Sequence, residues 1–238
     1  MITIKEVKTR KEGHLFTVFP NKMYKKVEAF VPALSLDENN VFNKKTNPVH
    51  EYCDSIRFLA YQEGKIVGRI AGILNFKINE ALNLKQVRFS RIDMIDDIDV
   101  TKALIKAVED WGKGYGCDSI IGPIGFTDLD RQGMLFEGFE HLNMFITIYN
   151  HPYYPKHLET LGFIKDAIWS EKKVFSPTEV PDKVSRGARI ARERYGMRLL
   201  KLKKKKDVYD HIYQAFEMYN VAFSELYGFF PISRAVMN

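Results

Sequence analysis

The sequence predicts an α/β domain with a mixed sheet, and three stretches carry that reading. Lys85–Phe126 reads as a strand, a tight turn, an amphipathic helix and a second strand, which is a βαβ unit. Arg57–Gln62 and Lys65–Leu74 are β-rich runs on either side of a two-residue Glu63-Gly64 turn, the best hairpin signal in the chain. Residues 2–8 alternate apolar and polar as a half-buried strand does.

Within the βαβ unit, Phe89, Arg91, Asp93 and Ile95 alternate with Arg88, Ser90, Ile92 and Met94, so neither face of that strand is purely apolar. Val100, Ala103, Leu104, Ala107, Val108 and Trp111 recur at helical spacing, Asp99 is placed to cap the helix, and Gly112, Gly114 and Gly116 end it. Ser119–Pro123 is the short second strand. Upstream, residues 14–32 read as a helix that Pro20 breaks or restarts and Pro32 stops, with Phe16, Phe19, Tyr24, Val27 and Phe30 on its apolar side. Residues 33–56 read as a loop or short helix and 75–84 as a loop. Gly68 and Gly72 mark a bulge or a close approach of backbone or ligand. Further strands are expected at Phe145–Tyr149, Ile168–Phe175 and Met197–Leu202. Helices are expected just after Asn150, at Lys183–Tyr195 and at Asp207–Tyr227.

With 238 residues, 45% of them hydrophobic, the chain holds one domain comfortably plus a fragment of another. No apolar run reaches membrane-spanning length and the N-terminus lacks a secretory pattern, so the protein is read as cytoplasmic with no membrane partner. Cys53 and Cys117 stand far apart and the six histidines lack ligand spacing, which points to free thiols and no metal site. From Lys183 onward there are 12 basic and 5 acidic residues, net +7, against 24 and 25 before it. The lysine run 203–206 with Arg186, Arg189, Arg192 and Arg194 is read as a solvated face, because no aromatic platform is interleaved; nucleic acid is the disfavoured partner.

The order of elements up to Leu161-Gly162-Phe163, with the Glu63-Gly64 hairpin, the unit from Lys85 to Trp111, and Asn150, resembles the GNAT superfamily of N-acyltransferases over residues 1–176. Gly122-Pro123, Gly133, Gly138-Phe139, Asn150 and Tyr153-Tyr154 are similar to an uncharacterised bacterial GNAT-like branch in which a second such domain follows the first. The resemblance implies a GNAT-like, mostly antiparallel sheet flanked by helices in residues 1–180. It leaves 181–238 as a basic extension that either opens a second GNAT-like domain or packs back on the first.

It also implies attack of an amine on an acyl thioester, with acetyl-CoA or another acyl-CoA as co-substrate. The backbone at Ile92, Met94 and Ile95 would hold the pantetheine arm, and the helix start would bind the pyrophosphate, with Thr101 and Lys102 meeting the phosphates. Asp96, Asp97 and Asp99 stand where the pyrophosphate is expected, so they either cap the helix or point away. Asn150 is a cofactor ligand or a helix cap. The family's tyrosine acid falls on Leu158, and Tyr154, one turn earlier, is the substitute for protonating the thiolate. Asp93 is the general base, with Glu137 the alternative, and pairing of Asp93 with Arg91 would weaken it. Three functions stay open: an N-acyltransferase acting on a small amine, a degenerate GNAT-like binding module, and a tandem aminoacyl transferase using charged tRNA. The acceptor is not encoded in any motif, and the oligomeric state is open.

Overall fold

The computed structural model describes residues 1–227 and 229–232. Strands β1 (Ile2–Glu6), β2 (Cys53–Gln62), β3 (Lys65–Asn75), β4 (Gln86–Met94) and β5 (Ser119–Ile121) lie in that order in one five-stranded sheet. The first four are antiparallel to their neighbours and β4–β5 is parallel, so the sheet is the mixed, mostly antiparallel one expected. The β2–β3 turn places Glu63 at φ 51° and Gly64 at φ 76°, the left-handed pair that matches strand twist in a two-residue hairpin.

Between β4 and β5 runs α4 (Ile98–Lys113), which packs on one face of the sheet. A Cβ at Gly68 would lie 2.8 Å from Leu104 Cδ1, and one at Gly72 would lie 3.0 Å from Trp111, so those glycines let the helix approach. The cap is Asp97, not Asp99: Asp97 is the last extended residue, and its carboxylate accepts the Asp99 N–H at 2.9 Å.

The mixed pattern of β4 has a structural cause. Arg69 stands opposite Asp93 and Ala71 opposite Ser90, so two residues of β4 face one of β3, and Arg91 sits at φ 48°. This bulge shifts the alternation by one residue. Val87 and Phe89 before it, and Ile92 and Met94 after it, all enter the core beneath α4. Arg88, Ser90, Arg91 and Asp93 carry the buried polar groups of the strand.

The opposite side is covered by α1 (Arg10–Met23) and α2 (Ser35–Val41), with Phe16 and Phe42 packed with Leu59, Ala71 and Ile73. Thr9 and Glu12 form a capping box at the start of α1. Pro20 does not break that helix, which continues to Met23. Its missing N–H leaves the Phe16 carbonyl free, and Arg69 Nη1 donates to that oxygen at 2.8 Å. Residues 24–32 are turns rather than helix. The 33–56 segment holds α2 and a 3-10 turn, Pro48–Glu51, and 75–84 contains α3 (Phe76–Ala81), capped by Asn75. The last helix of this region is α5 (Tyr153–Thr160).

Phe145–Tyr149, Ile168–Phe175 and Met197–Leu202 form no strand, because apolar alternation makes a strand only where backbone partners are available. Met1–Ile164 and the described residues from Asn220 onward make one compact unit. Lys165–Tyr219 makes a second, with α6 (Asp182–Tyr195) and most of α7 (Lys205–Ala222). No helix among the described residues is long and apolar enough to cross a membrane.

Candidate active site

Strands β4 and β5 pair only from Gln86 to Arg88, and the chain then crosses β4 once more where the Ile124 N–H donates to Phe89 O at 2.9 Å. Further along, α5 supplies side chains to the edge of β4. The Met94 N–H donates to the Tyr154 hydroxyl at 2.9 Å, and the Tyr153 hydroxyl donates to Met94 O at 2.7 Å. The strand's backbone polarity at Met94 is thus met by phenols.

Those bonds open a longer chain. Tyr24, just past α1, places its hydroxyl 2.8 Å from that of Tyr154 and 3.1 Å from Asp93 Oδ1. Asp93 Oδ2 receives Arg69 Nε at 2.7 Å. Arg69, Asp93, Tyr24 and Tyr154 are therefore linked continuously, and exposures of 7%, 5%, 1% and 0% show that water does not compete for these bonds. Burial pushes the Asp93 carboxyl above its ordinary range, against the opposing pull of Arg69 and the Tyr24 hydrogen bond. Burial and the nearby Asp93 charge push both phenols up, so Tyr24 and Tyr154 keep their protons. A carboxylate of raised basicity joined to two protonated phenols can take up, pass on and release one proton.

Arg91 does not pair with Asp93. The bulge sends it to Glu38, at 3.2 Å from Nε and 3.4 Å from Nη2. Burial would raise Glu38, but Arg91 and Arg69 hold its carboxyl below the usual value. These groups face an open cleft whose lining includes Arg69, Arg91, Ile92, Asp93, Arg131 and Tyr154.

The other anticipated residues have different settings. Met94 is committed to the two tyrosines, and the Ile95 N–H donates to Val67 O at 3.0 Å. Thr101 is buried with its hydroxyl 2.8 Å from His157 Nδ1, and Lys102 is exposed on α4. His157 Nε2 lies 3.1 Å from Asp96. Asn150 neither caps α5, whose N-cap is Pro152, nor stands free: its amide clamps Leu135, accepting the N–H at 2.7 Å and donating to the carbonyl at 2.9 Å. Glu137 is exposed and outside the cleft lining. Three aspartates, with Asp97 already filling the cap, do not fit a pyrophosphate at the start of α4.

Tyr24, Arg69, Glu38 and Arg131 were not read from sequence as site residues. Tyr24 looks like one more aromatic of a helix face, and its contact with Tyr154 spans 130 positions. One local signal does exist: a proline at position 20 implies an unclaimed carbonyl at Phe16.

No family model matches the chain. It is 31% identical over 168 residues to Protein YghO of Escherichia coli (strain K12), covering 68% of this chain and 43% of that protein. It is 25% identical over 236 residues to the bacterial ceramide synthase of Caulobacter vibrioides (strain NA1000 / CB15N), covering 98% and 61%. The chain thus spans 43% and 61% of these curated relatives. Among solved structures, an acetyl transferase from Pyrococcus furiosus has TM-score 0.42 and 14% identity, covering 73% of this chain and 100% of that one. An acetyltransferase from Clostridium acetobutylicum, solved with acetyl-CoA, has TM-score 0.42 and 9% identity, covering 73% and 96%. The sheet order, its one parallel pair, the α4 crossover and the parting of β4 from β5 give this chain a GNAT-like fold.

Proposed function

We propose that the cleft is an N-acyltransfer site at which an amine attacks an acyl thioester. The observation that carries this is the buried Asp93–Tyr24–Tyr154 chain beside the cleft. The name of the Caulobacter vibrioides relative points the same way: a ceramide is an amide, so its synthesis is acyl transfer to nitrogen.

The chemistry has one proton to manage. A C–N bond forms, the C–S bond breaks, and the ammonium proton must leave nitrogen while the departing sulfur gains one. Asp93 takes the first. Tyr154 gives the second to the thiolate and is reprotonated by Tyr24, which draws in turn on Asp93, so the relay ends as it began. Arg69 orients the carboxylate and opposes the rise in its basicity that burial brings.

A second reading, a GNAT-like module that binds without turnover, is favoured by the carboxylates at the start of α4 and by the tyrosines that occupy the Met94 backbone. One experiment separates the two. The chain is incubated with acetyl-CoA or dodecanoyl-CoA and a panel of primary amines, and thiol release and amide mass are recorded. Amide and thiol appearing together, in equal amounts, support acyl transfer. Thermal stabilisation by the thioesters without either product supports the binding module.

A further inference from the structure

Three guanidinium groups and two carboxylates line the cleft: Arg69, Arg91 and Arg131 against Glu38 and Asp93. Two of the cations are spoken for. Arg69 is paired with Asp93 at 2.7 Å and Arg91 with Glu38 at 3.2 Å. Arg131 makes no ion pair among the described residues. Its Nε donates to Phe145 O at 2.7 Å and its Nη2 donates to the same oxygen, which fixes the plane of the group. A guanidinium carries five N–H donors, so this leaves others for a ligand.

The setting of Arg131 favours an added anion. The residue is only partly exposed; burial and repulsion from Arg91 and Arg69 work against its charge, while Glu38 and Asp93, neither of them in contact with it, favour it. Against two carboxylates the three guanidinium groups leave one net positive charge in the lining, and a half-dehydrated cation gains more from an incoming oxyanion than a surface arginine does. Across the same cleft, Asp93 is the acid group that suits an ammonium. The remaining wall includes Phe30, Val31, Met134 and Ile148, which suit an apolar substituent.

From this arrangement we infer that the acceptor is a zwitterion, an amine that also bears a carboxylate or phosphate, with nitrogen toward Asp93 and the anionic group on Arg131. The inference rests on the acyl-transfer reading of the cleft and narrows its substrate to amines of amino-acid or phosphoamine type. Arg131 is then a specificity-determining residue.

The test compares L-leucine with its methyl ester and O-phosphoethanolamine with ethanolamine, using acetyl-CoA and dodecanoyl-CoA as donors, in the wild-type chain, R131Q and R131K. A charge-assisted hydrogen bond predicts a kcat/KM about 10- to 100-fold higher for the charged member of a pair. The pair that shows the preference identifies the anion. The preference should collapse toward unity in R131Q and return in part in R131K. A wild-type ratio near unity, or a ratio that survives in R131Q, overturns the inference. Should no amine be acylated, the acyl-transfer reading fails separately, and thermal shift with the same four compounds decides the inference. Stabilisation by the charged members that is lost in R131Q sustains it, and equal shifts for charged and neutral members overturn it.

Discussion

Replacing Tyr24 with Phe removes one hydroxyl and cuts the path between Asp93 and Tyr154 while leaving both end groups in place. Asp93 keeps Arg69 at 2.7 Å, and Tyr154 keeps the Met94 N–H at 2.9 Å. The structural cost is one partner lost from each neighbour, about 1–3 kcal/mol for a buried polar group left unmet. For a domain of this size that is a fall in Tm of about 2–12 °C. The chemical cost is larger if the proton travels this way, since a positioned acid or base is worth about 10²- to 10⁴-fold in rate. The assay is thiol release at saturating thioester and amine, with Tm measured on the same preparation. A drop in kcat of that order with KM nearly steady is the expected result. A Tm drop with kcat retained would refute the relay, because the hydroxyl would then be a packing group only.

Other perturbations give distinct readouts. Glu38→Gln removes the charge of the nearer partner of buried Arg91, leaving Asp130 at 3.9 Å, and should cost up to about 3–5 kcal/mol near neutral pH. Because Glu38 is held below its ordinary value of 4.5, its contribution is present above that value and lost as pH falls through the folded value. Unfolding curves in acid should therefore show the wild-type chain losing its advantage over E38Q. Asn150→Ala should free the Leu135 amide, raising its hydrogen-exchange rate and lowering stability by about 1–3 kcal/mol, with exchange elsewhere in β2 and β3 unaffected. The crowding of carboxylates at the start of α4 predicts that the nucleotide half of CoA adds little. KM for acetyl-CoA and S-acetyl-pantetheine should agree within about tenfold, under 1.4 kcal/mol, and a much larger gap would mean that α4 does receive the pyrophosphate.

Much of the fold was legible because its signals are local. Glu63-Gly64 dictates a two-residue hairpin, and the apolar stripe from Val100 to Trp111 dictates an α4 with one buried face. The site was less legible because its residues gain their roles from distant partners. The bulge at Arg91 turns a seemingly patternless β4 into one strand with an apolar side and a charged side, and nothing in the local sequence announces it. Pro20 looked like a break, yet near the end of α1 its missing donor simply hands the Phe16 carbonyl to Arg69. Asn150 carries the composition of a cap but spends its amide on Leu135, a loop residue 15 positions earlier. The strands expected after Phe145, Ile168 and Met197 failed because hydrophobic alternation describes side chains, whereas a strand needs a backbone edge to join.

The most direct test of the proton path is a double-mutant cycle on kcat with Tyr24→Phe, Tyr154→Phe and the pair together. Groups that act in series on one proton form a unit, so the double variant should lose about as much activity as the worse single variant. Losses that multiply, each hydroxyl contributing on its own, would contradict the relay.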